Sequence, residues 1–219
     1  MQSKKAYIFT NKSSICPIDK KDKSIVFIAA DGGFNSLAKG NLLPDILIGD
    51  LDSIALGTKE KCLKNNIPIL QFETNKDETD TQLAIRWCFD NQIENITIFN
   101  SLQSRFDHSL GLISNLLYAT SLGISAKVIS ESQEVFLLAG SFVYLGELGD
   151  TLSIIPITKE LKSLSTKGLK YTLKNESLLN NSTRGISNVI INKKVSIQAK
   201  GGLGIVVITK RRGYAKEKV

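Results

Sequence analysis

The chain has 219 residues, a formal net charge of +7 and an apolar content of 42%. This length allows one large domain or two small ones, and the apolar content is ordinary for a globular protein. Without a long apolar run or the apolar stretch of a signal peptide, we expect no membrane partner. The three cysteines show no paired metal spacing, so we expect a reducing, cytoplasmic setting.

The positive charge raises nucleic acid as a possible partner. The lysines, however, stand in short polar clusters, as at 20–23 and 210–218, with no stacking aromatic residues between them. We therefore interpret the clusters as solvated surface and do not predict nucleic-acid binding.

The first predicted elements form a strand-helix-strand unit. After a strand at 5–10, β-branched and apolar residues predict a second strand at 25–30 and a third at 46–48, with a short helix at 34–39 between them. Gly40 is a residue type that commonly ends a helix. A unit of this length builds a parallel sheet, in which both strands point the same way. The residues that follow the two strands therefore meet at one edge, where α/β proteins bind ligands.

Acidic residues follow both of these strands. Asp31 comes directly after the first, and Asp50 and Asp52 come after the second. Each alone is typical of a turn, but three carboxylates gathered at one edge would repel one another without a cation. Carboxylate oxygens suit Mg²⁺, which binds one or two of them together with substrate phosphates. The Gly32-Gly33 pair would let the backbone approach such a phosphate, so we predict a metal–phosphate site.

The alternation of helices and strands continues to residue 130. Thr79 and Gln82 form a capping-box pattern, which predicts a helix start there and places Asp80 in its first turn. His108 is predicted in the first turn of a later helix, where histidine is usually an ordinary polar residue. The remaining elements are a helix at 58–66, strands at 68–72 and 95–100, a helix from Asp107, and a strand at 126–130.

The pattern changes near Glu131. Short β-rich runs follow, separated by turn residues such as Gly140-Ser141 and Gly149-Asp150. This spacing is typical of an antiparallel sandwich or barrel. We predict an α/β domain with a mainly parallel sheet over residues 1–130 and an all-β antiparallel sandwich domain over residues 131–219. The predicted strands of the second domain are 135–138, 142–145, 152–157, 169–173, 188–191, 195–199 and 205–209.

Five motifs, in order across residues 30–203, make the chain resemble the thiamine pyrophosphokinases. They are Asp31-Gly32-Gly33 with Asn35, Pro44-Asp45 and Gly49-Asp50-Leu51-Asp52-Ser53; Lys76-Asp77-Glu78-Thr79-Asp80; Arg105-Phe106-Asp107-His108; Gly168-Leu169-Lys170-Tyr171; and Gly185-Ile186-Ser187-Asn188. No single motif is specific to this family, but the occurrence of all five in this order is. Gln103 and Ser104 depart from the two glycines that the family usually carries before the arginine, which argues against a close backbone approach to phosphate there.

The resemblance implies an enzyme that transfers a pyrophosphoryl group from ATP to the hydroxyl of thiamine, giving thiamine diphosphate and AMP. Such a transfer relies on positioning and charge neutralisation, which Mg²⁺ on clustered carboxylates supplies. The implied catalytic residues are Asp50, Asp52, Asp80, Arg105 and Asp107, of which Asp50, Asp52 and Asp80 are the metal ligands. The implied ATP-binding residues are Asp31, Gly32, Gly33, Asn35, Lys76, Asp77 and Thr79, and the implied thiamine-binding residues are Ser187 and Asn188.

Individual roles follow from the chemistry of these side chains. Arg105 either stabilises the transferring phosphate or orients Asp107 through a bidentate pair. Asp107 is the candidate acceptor of the hydroxyl proton. Ser187 and Asn188 offer short donors and acceptors that suit an aminopyrimidine ring. The resemblance also implies a homodimer in which each thiamine site takes its second half from the partner chain.

Two other classes of function remain open from the sequence. Asp50-Leu51-Asp52 after a strand also resembles the haloacid-dehalogenase pattern, in which the first aspartate is a phosphorylated nucleophile and the protein is a phosphatase. That alternative leaves the thiamine-domain motifs unexplained. A basic nucleic-acid-binding module is the other alternative, and it predicts salt-sensitive binding of polyanions without ATP turnover.

Overall fold

A computed structural model of the chain describes residues 4–11, 13, 22–75, 77–103 and 105–211. The chain divides into two compact units, Met1–Glu131 and Ser132–Val219. Strands and helices alternate in the first unit. Its described strands are β1 (Lys5–Phe9), β2 (Ile25–Ala30), β3 (Ile46–Gly49), β4 (Ile69–Gln71), β5 (Asn95–Phe99) and β6 (Ser125–Ile129). Its described helices are α1 (Gly33–Lys39), α2 (Thr58–Lys64), α3 (Asp80–Asp90) and α4 (Phe106–Ser121).

The strands of the first unit form a parallel sheet in the order β6-β5-β1-β2-β3-β4. Strands β1 and β2 are central and nearly fully buried, which explains their continuous apolar runs. Phe9 and Phe99 stack with ring centroids 4.9 Å apart, and Phe27 packs against Phe9 at 5.4 Å. This parallel arrangement, predicted from the alternation of elements, is confirmed, and it brings the carboxyl ends of β5, β1, β2 and β3 together at one edge.

A capping box has two hydrogen bonds, and the first of those predicted for α3 is confirmed. Thr79 is the N-cap residue, and its Oγ1 accepts a hydrogen bond from the backbone N–H of Gln82 at 3.3 Å. Asp80 is the first residue of the helix, where the helix dipole favours a negative charge. The cap therefore fixes the position of Asp80 at the start of the helix.

The second unit is built from antiparallel strands, as predicted. Strand β12 pairs with β7 along most of its length, with β9 through its first half and with β8 through its second half. Its core contains apolar side chains from every one of these strands. The described strands are β7 (Gln133–Leu145), β8 (Thr151–Pro156), β9 (Glu160–Lys167), β10 (Glu176–Leu179), β11 (Asn188–Val189) and β12 (Lys194–Thr209).

Several strand boundaries predicted in the second unit are wrong. Gly140-Ser141 is not a turn, because β7 runs continuously through it, with Gly140 at φ 82°. Likewise, 195–199 and 205–209 are one strand with an irregular register between Gln198 and Leu203. Glycines in these strands thus mark bends and not ends. The predicted strand at 169–173 is reduced to a single bridge between Leu169 and Ile190. Strands β9 and β10 were not predicted, because their serines, threonine and charged residues mask the alternation of apolar and polar residues.

Within the described part of the chain, no helix has the length and apolar character needed to cross a membrane.

Candidate active site

A cleft of about 650 Å³ opens at the carboxyl edge of the parallel sheet. Among the described residues that line it, five are aspartates, whereas only Arg105 and His108 can carry positive charge. The cleft is therefore strongly acidic and suits a cation or a cation-bound anion. The five aspartates are Asp31, Asp50, Asp52, Asp80 and Asp107.

Three of these aspartates form what we call the acidic cluster: Asp31, Asp50 and Asp80. One carboxylate oxygen from each lies within 4.8 Å of the others. Asp31 follows β2, Asp50 follows β3 and Asp80 begins α3, so three separate elements converge on one point. Asp31 is only 7% exposed, and its Oδ1 is buried without a hydrogen-bond partner in the described chain. An orphaned carboxylate oxygen of this kind is the expected sign of a ligand or ion.

Asp52 lines the same cleft but does not belong to the acidic cluster. Its backbone N–H donates to Asp50 Oδ1 at 3.2 Å, and its own Oδ1 accepts from Ser53 Oγ at 2.7 Å. Leu51, between the two aspartates, has a positive φ of 69°, in the left-handed region of backbone conformation. The structure thus brings together Asp31, Asp50 and Asp80, whereas the metal ligands predicted from the motifs are Asp50, Asp52 and Asp80.

Asn35 supports the loop that carries Asp52. Its Nδ2 donates to the carbonyl of Ser53 and its Oδ1 accepts from the N–H of Ala55, both at 3.1 Å. The amide is therefore occupied on both sides by backbone, and Asn35 is not among the residues that line the cleft. It was predicted to bind ATP, and its position fits a supporting role for the phosphate-side loop.

The glycines of the first motif are explained by close packing within the chain. A Cβ at Gly33 would lie 1.8 Å from the carbonyl oxygen of Phe9, so only glycine lets α1 begin against β1. A Cβ at Gly32 would lie 2.6 Å from the side chain of Asn11, which lines the cleft. A Cβ at Gly49 would lie 2.9 Å from that of Asp31. Of these three glycines, Gly49 is the one that lets the end of β3 approach Asp31.

The second motif contributes through its last two residues. Thr79 and Asp80 line the cleft, whereas Asp77 is exposed and does not. Lys76, predicted to bind ATP, lies outside the described residues. In the third motif, Ser104 also lies outside them.

Arg105 and Asp107 form a two-pronged ion pair at the mouth of the cleft. The Nε and Nη2 atoms of Arg105 donate to the two carboxylate oxygens of Asp107 at 3.1 and 2.5 Å. These hydrogen bonds hold the pKa of Asp107 below its usual range and raise that of Arg105. Both side chains are exposed, 73% and 60%, so solvent screens the pair. Of the two roles weighed for Arg105, this geometry favours the orientation of Asp107.

In the second unit, Asn188 clamps a neighbouring loop. Its Oδ1 accepts from the N–H of Tyr171 at 3.0 Å, and its Nδ2 donates to the carbonyl of Tyr171 at 2.6 Å. The clamp fixes the backbone of Tyr171, whose ring is exposed and has Lys170 Nζ 5.4 Å from its centroid. Ser187, at φ 60°, donates its backbone N–H to Ser153 Oγ. Asn188 therefore positions the backbone of Tyr171, a role that its place at the start of a strand could not reveal.

Uncharged polar residues at the other side of the cleft escaped the sequence analysis. Thr10 follows β1, and Asn100 follows β5. Their places after strands could have drawn attention to both, as they did for the aspartates. Asn115, in the middle of α4, carried no such signal and was found only through the fold.

Comparisons with known proteins agree with the geometry of the cleft. The family model described as "Thiamin pyrophosphokinase, catalytic domain" matches residues 19–128, which include all five aspartates of the cleft. The model described as "Thiamin pyrophosphokinase, vitamin B1 binding domain" matches residues 142–203, which include Tyr171 and Asn188. Neither the phosphatase nor the nucleic-acid alternative receives support from any of these comparisons.

Similar sequences and structures carry the same family name. The chain is 27% identical to thiamine pyrophosphokinase from Bacillus subtilis over 164 residues, 74% of this chain and 77% of the relative. It is also 27% identical over 172 residues to thiamin pyrophosphokinase 1 from Caenorhabditis elegans, covering 69% of this chain and 65% of the relative.

The crystal structure of the Bacillus subtilis enzyme is similar with a TM-score of 0.82 at 25% identity, covering 94% of this chain and 99% of that one. The fold also matches thiamin pyrophosphokinase from Candida albicans with a TM-score of 0.82 at 18% identity, covering 95% of this chain and 90% of that one. The two matched family models, arranged in order along this chain, show that it belongs to the thiamine pyrophosphokinase family.

Proposed function

We propose that this protein is a thiamine diphosphokinase, which transfers the pyrophosphoryl group of ATP to the hydroxyl of thiamine and releases AMP. The observation that carries the proposal is the acidic cleft itself, in the part of the chain that the catalytic-domain model matches. Transfer of a pyrophosphoryl group from ATP to a hydroxyl requires a site that holds several negative charges next to a cation, and this cleft provides the carboxylates for one.

The acidic cluster fits a magnesium ion. Mg²⁺ binds oxygen atoms at about 2.0–2.1 Å, so ligands on opposite sides are roughly 4.2 Å apart. The oxygens of Asp31, Asp50 and Asp80, within 4.8 Å of one another, are close to that size. The buried, orphaned Oδ1 of Asp31 supports the same assignment. Bound there, Mg²⁺ would neutralise the charge of the polyphosphate.

We assign Mg²⁺ binding to Asp50 and Asp80, with Asp31 and Asp52 as competing candidates for the third carboxylate. Matched variants distinguish these two. We expect Asp31→Asn to weaken Mg²⁺ activation at least about tenfold, because it removes a charge from the acidic cluster, and Asp52→Asn to have a smaller effect. Metal titrations of activity and of thermal stability measure the difference. A larger loss for Asp52→Asn would assign the third position to Asp52.

Asp107 is our candidate for accepting the proton of the attacking hydroxyl. Its carboxylate is held ionised by Arg105 and by the backbone N–H of His108, which donates to Oδ1 at 2.9 Å. A depressed pKa makes it a weak base, so its contribution depends on geometry more than on proton affinity. Arg105 keeps the carboxylate oriented toward the cleft.

We assign thiamine recognition to the loop around Ser187 and Asn188, with Tyr171 as an aromatic platform. The exposed Tyr171 ring, held through its backbone by Asn188, offers a face for a flat, cationic heterocycle. The Ser187 hydroxyl can complement the polar edge of an aminopyrimidine. The family model matched to this region is named for vitamin B1 binding, which supports the assignment.

Homodimer formation is part of the proposal. Thiamine needs phosphate chemistry at its hydroxyl, assigned to the first unit, and recognition of its ring, assigned to the second. Exposed apolar side chains in the second unit offer surface for a partner chain. They include Val143, Leu145, Leu148, Ile186 and Ile191. In the dimer we propose, each site combines the first unit of one chain with the second unit of the other.

Mixing inactive chains tests the shared site. An Asp50→Asn chain and a chain with Ser187→Ala and Asn188→Ala should each have little activity alone. In a mixed dimer one site receives both defects and the other receives none, so activity should return. Mixed dimers seen by native mass spectrometry without recovered activity would show that each chain builds its own site.

The decisive test of the activity is product analysis. We expect incubation with ATP, Mg²⁺ and thiamine to give equal amounts of AMP and thiamine diphosphate. ADP with thiamine monophosphate would show a one-phosphate kinase, and no thiamine product would contradict the proposal. We further propose a cytoplasmic location, which the free thiols of Cys62 and Cys88 support.

A further inference from the structure

The loop between β5 and α4 carries Arg105 and Asp107 to the mouth of the cleft, so the position of this pair depends on how the loop is held. Helix α4 begins at Phe106, and its N-cap residue is Arg105. Arginine has no side-chain oxygen that could accept a hydrogen bond from the first turn, in contrast to Thr79 at the start of α3. The place where α4 begins is therefore left to the contacts of the loop.

Two side chains of the loop hold its backbone. Asn100 Oδ1 accepts from the N–H of Leu102 at 2.8 Å, and Ser101 Oγ accepts from the N–H of Gln103 at 3.4 Å. The first contact is an Asx turn, in which a side-chain oxygen takes the place of a backbone carbonyl. Leu102 has a φ of 55°, a left-handed conformation that leucine rarely adopts. Such a conformation persists only where neighbouring contacts impose it, and Asn100 supplies one.

The Asn100 amide is tied to the end of the neighbouring strand. Its Nδ2 donates to Thr10 Oγ1 at 2.7 Å, and Thr10 Oγ1 donates to the carbonyl oxygen of Phe99 at 3.0 Å. Thr10 follows β1 and is only 6% exposed. Because the N–H of Leu102 can only donate, the amide oxygen has to face it, which turns the amide nitrogen toward Thr10. Donors and acceptors therefore match at every step from β1 to the loop.

We propose that Asn100 and Thr10 are positioning residues for the Arg105–Asp107 pair, an inference that rests on the proposed function. Thr10 holds the Asn100 amide, and the amide holds the left-handed turn at Leu102. The turn sets the direction in which the loop enters α4. Because Asp107 lies in the first turn of that helix, its carboxylate reaches the cleft only while the loop keeps this shape.

This assignment accounts for a loop that lacks the two glycines usual in the family before the arginine. The N–H groups of Leu102 and Gln103 both donate to side chains of their own loop. Those two groups are therefore satisfied before any ligand enters the cleft. A loop held in this way is preformed, and preformed supports keep reacting groups in place without a cost at the moment of reaction.

Variants of similar volume test the two residues. Asn100→Leu removes both amide hydrogen bonds, and it should lower kcat about tenfold while both KM values stay within about twofold, because the misplaced group is Asp107. Thr10→Val should lower kcat in the same direction, and Thr10→Ser, which keeps the hydroxyl, should recover most of that loss. Thr97→Val is the matched control, since it makes the same change in β5 at a residue outside the cleft lining.

Two kinetic results would overturn the inference. One is an unchanged kcat for a folded Asn100→Leu protein. The other is a raised KM for ATP with an unchanged kcat, which would show that Asn100 contacts the nucleotide directly.

A double-mutant cycle tests whether the effect passes through Asp107. If Asn100 acts through that carboxylate, Asn100→Leu in an Asp107→Ala protein should lower the remaining kcat by less than about twofold further. An equal loss in both backgrounds would show that Asn100 acts independently of Asp107, and it would overturn the inference.

Amide hydrogen exchange tests the support of the loop without any substrate. The N–H of Leu102 should exchange at least about tenfold faster in Asn100→Leu than in the natural protein, whereas Thr97→Val should leave it unchanged. Equal protection in Asn100→Leu and the natural protein would overturn the inference. A natural protein that forms no thiamine diphosphate would instead contradict the proposed function.

Discussion

Carboxylates are concentrated in two places in this molecule, and the two places are built differently. In the first unit, the acidic cluster of Asp31, Asp50 and Asp80 opens into a cleft whose lining has five aspartates and, among its described residues, one arginine and one histidine. In the second unit, Glu134 and Asp150 are 6% and 4% exposed and face Lys210.

We call the second group the lysine cluster, formed by Glu134, Tyr144, Asp150 and Lys210. Lys210 Nζ lies 3.3 Å from Asp150 Oδ2 and 3.7 Å from Glu134 Oε1, and it donates to the Tyr144 hydroxyl at 2.6 Å. That hydroxyl donates to Glu134 Oε1 at 2.8 Å. Burial, together with the hydrogen bond to Glu134, raises the pKa of Tyr144 and keeps it protonated.

The difference separates a structural cluster from a functional one. Lys210 partly neutralises the buried carboxylates of the lysine cluster, so the group can tie Asp150, before β8, to the end of β12 without a ligand. The acidic cluster gathers charge of one sign beside open space, which is costly unless a cation binds. Removing one charge from the lysine cluster should therefore lower the stability of the protein. Removing one charge from the acidic cluster should lower its activity without lowering its stability.

The largest effect is expected when the lysine cluster loses its cation. Lys210→Met should lower the free energy of unfolding by about 3–5 kcal/mol, because two buried carboxylates lose their partner. Chemical denaturation measures this change. Lys200→Met, which removes an exposed lysine of β12, is the control and should change stability little. A loss below about 1 kcal/mol for Lys210→Met would show that solvent already reaches the lysine cluster.

The next-largest effect is expected on activity, when the acidic cluster loses a carboxylate, and here stability should not fall. Asp50→Asn should lower kcat/KM at least about 100-fold, since a cation loses a charged ligand. Without added metal its melting temperature should not fall, because like-charge repulsion is relieved. Asp90→Asn, at the exposed end of α3, is the control. The distinction between the two clusters fails if Asp50→Asn keeps more than a tenth of the activity or melts well below the natural protein.

A smaller effect is expected at the thiamine loop. Asn188→Ala removes the clamp on Tyr171, so the KM for thiamine should rise about tenfold while the KM for ATP stays unchanged. Asn180→Ala removes an exposed amide from the same unit and serves as control. Initial-rate kinetics with each substrate varied in turn measure both constants. Equal increases in both KM values would contradict a role in thiamine recognition.

The smallest effect is expected for Arg105→Lys. Lysine cannot reproduce the two-pronged contact, so the pKa of Asp107 should rise toward its ordinary value. Asp107 acts when ionised, and the acidic limb of the pH–rate profile should therefore move to higher pH. At neutral pH we expect only a few-fold loss in kcat, because both side chains are exposed. Superimposable pH profiles would remove Arg105 from the residues that position Asp107.

Local patterns in the sequence were sufficient for much of the first unit. The alternation of apolar runs and helical segments predicted the parallel sheet, and the Thr79–Gln82 pattern predicted where α3 begins. These predictions succeed because apolar periodicity and helix capping can be read from residues close together in the sequence. Because parallel strands all point the same way, the aspartates after β2 and β3 were expected at one edge, and that is where they lie.

The second unit was harder to predict from its sequence. The glycines in β7 and β12 resemble turn residues, yet the chain continues through them because partner strands pair on either side. Strand pairing of this kind depends on residues distant in sequence, so a local signal for a turn can be overridden.

The sequence by itself determined the fold class of this protein, its family and the set of acidic residues from which the cleft is drawn. Only the tertiary structure decided which carboxylates meet: Asp31 joins Asp50 and Asp80, whereas Asp52 lines the same cleft outside this cluster. It also decided that the Asn35 amide braces a loop, and that Asn115, in the middle of α4, lines the cleft. The physical reason is that side-chain direction depends on backbone angles and distant packing, which residue spacing does not encode.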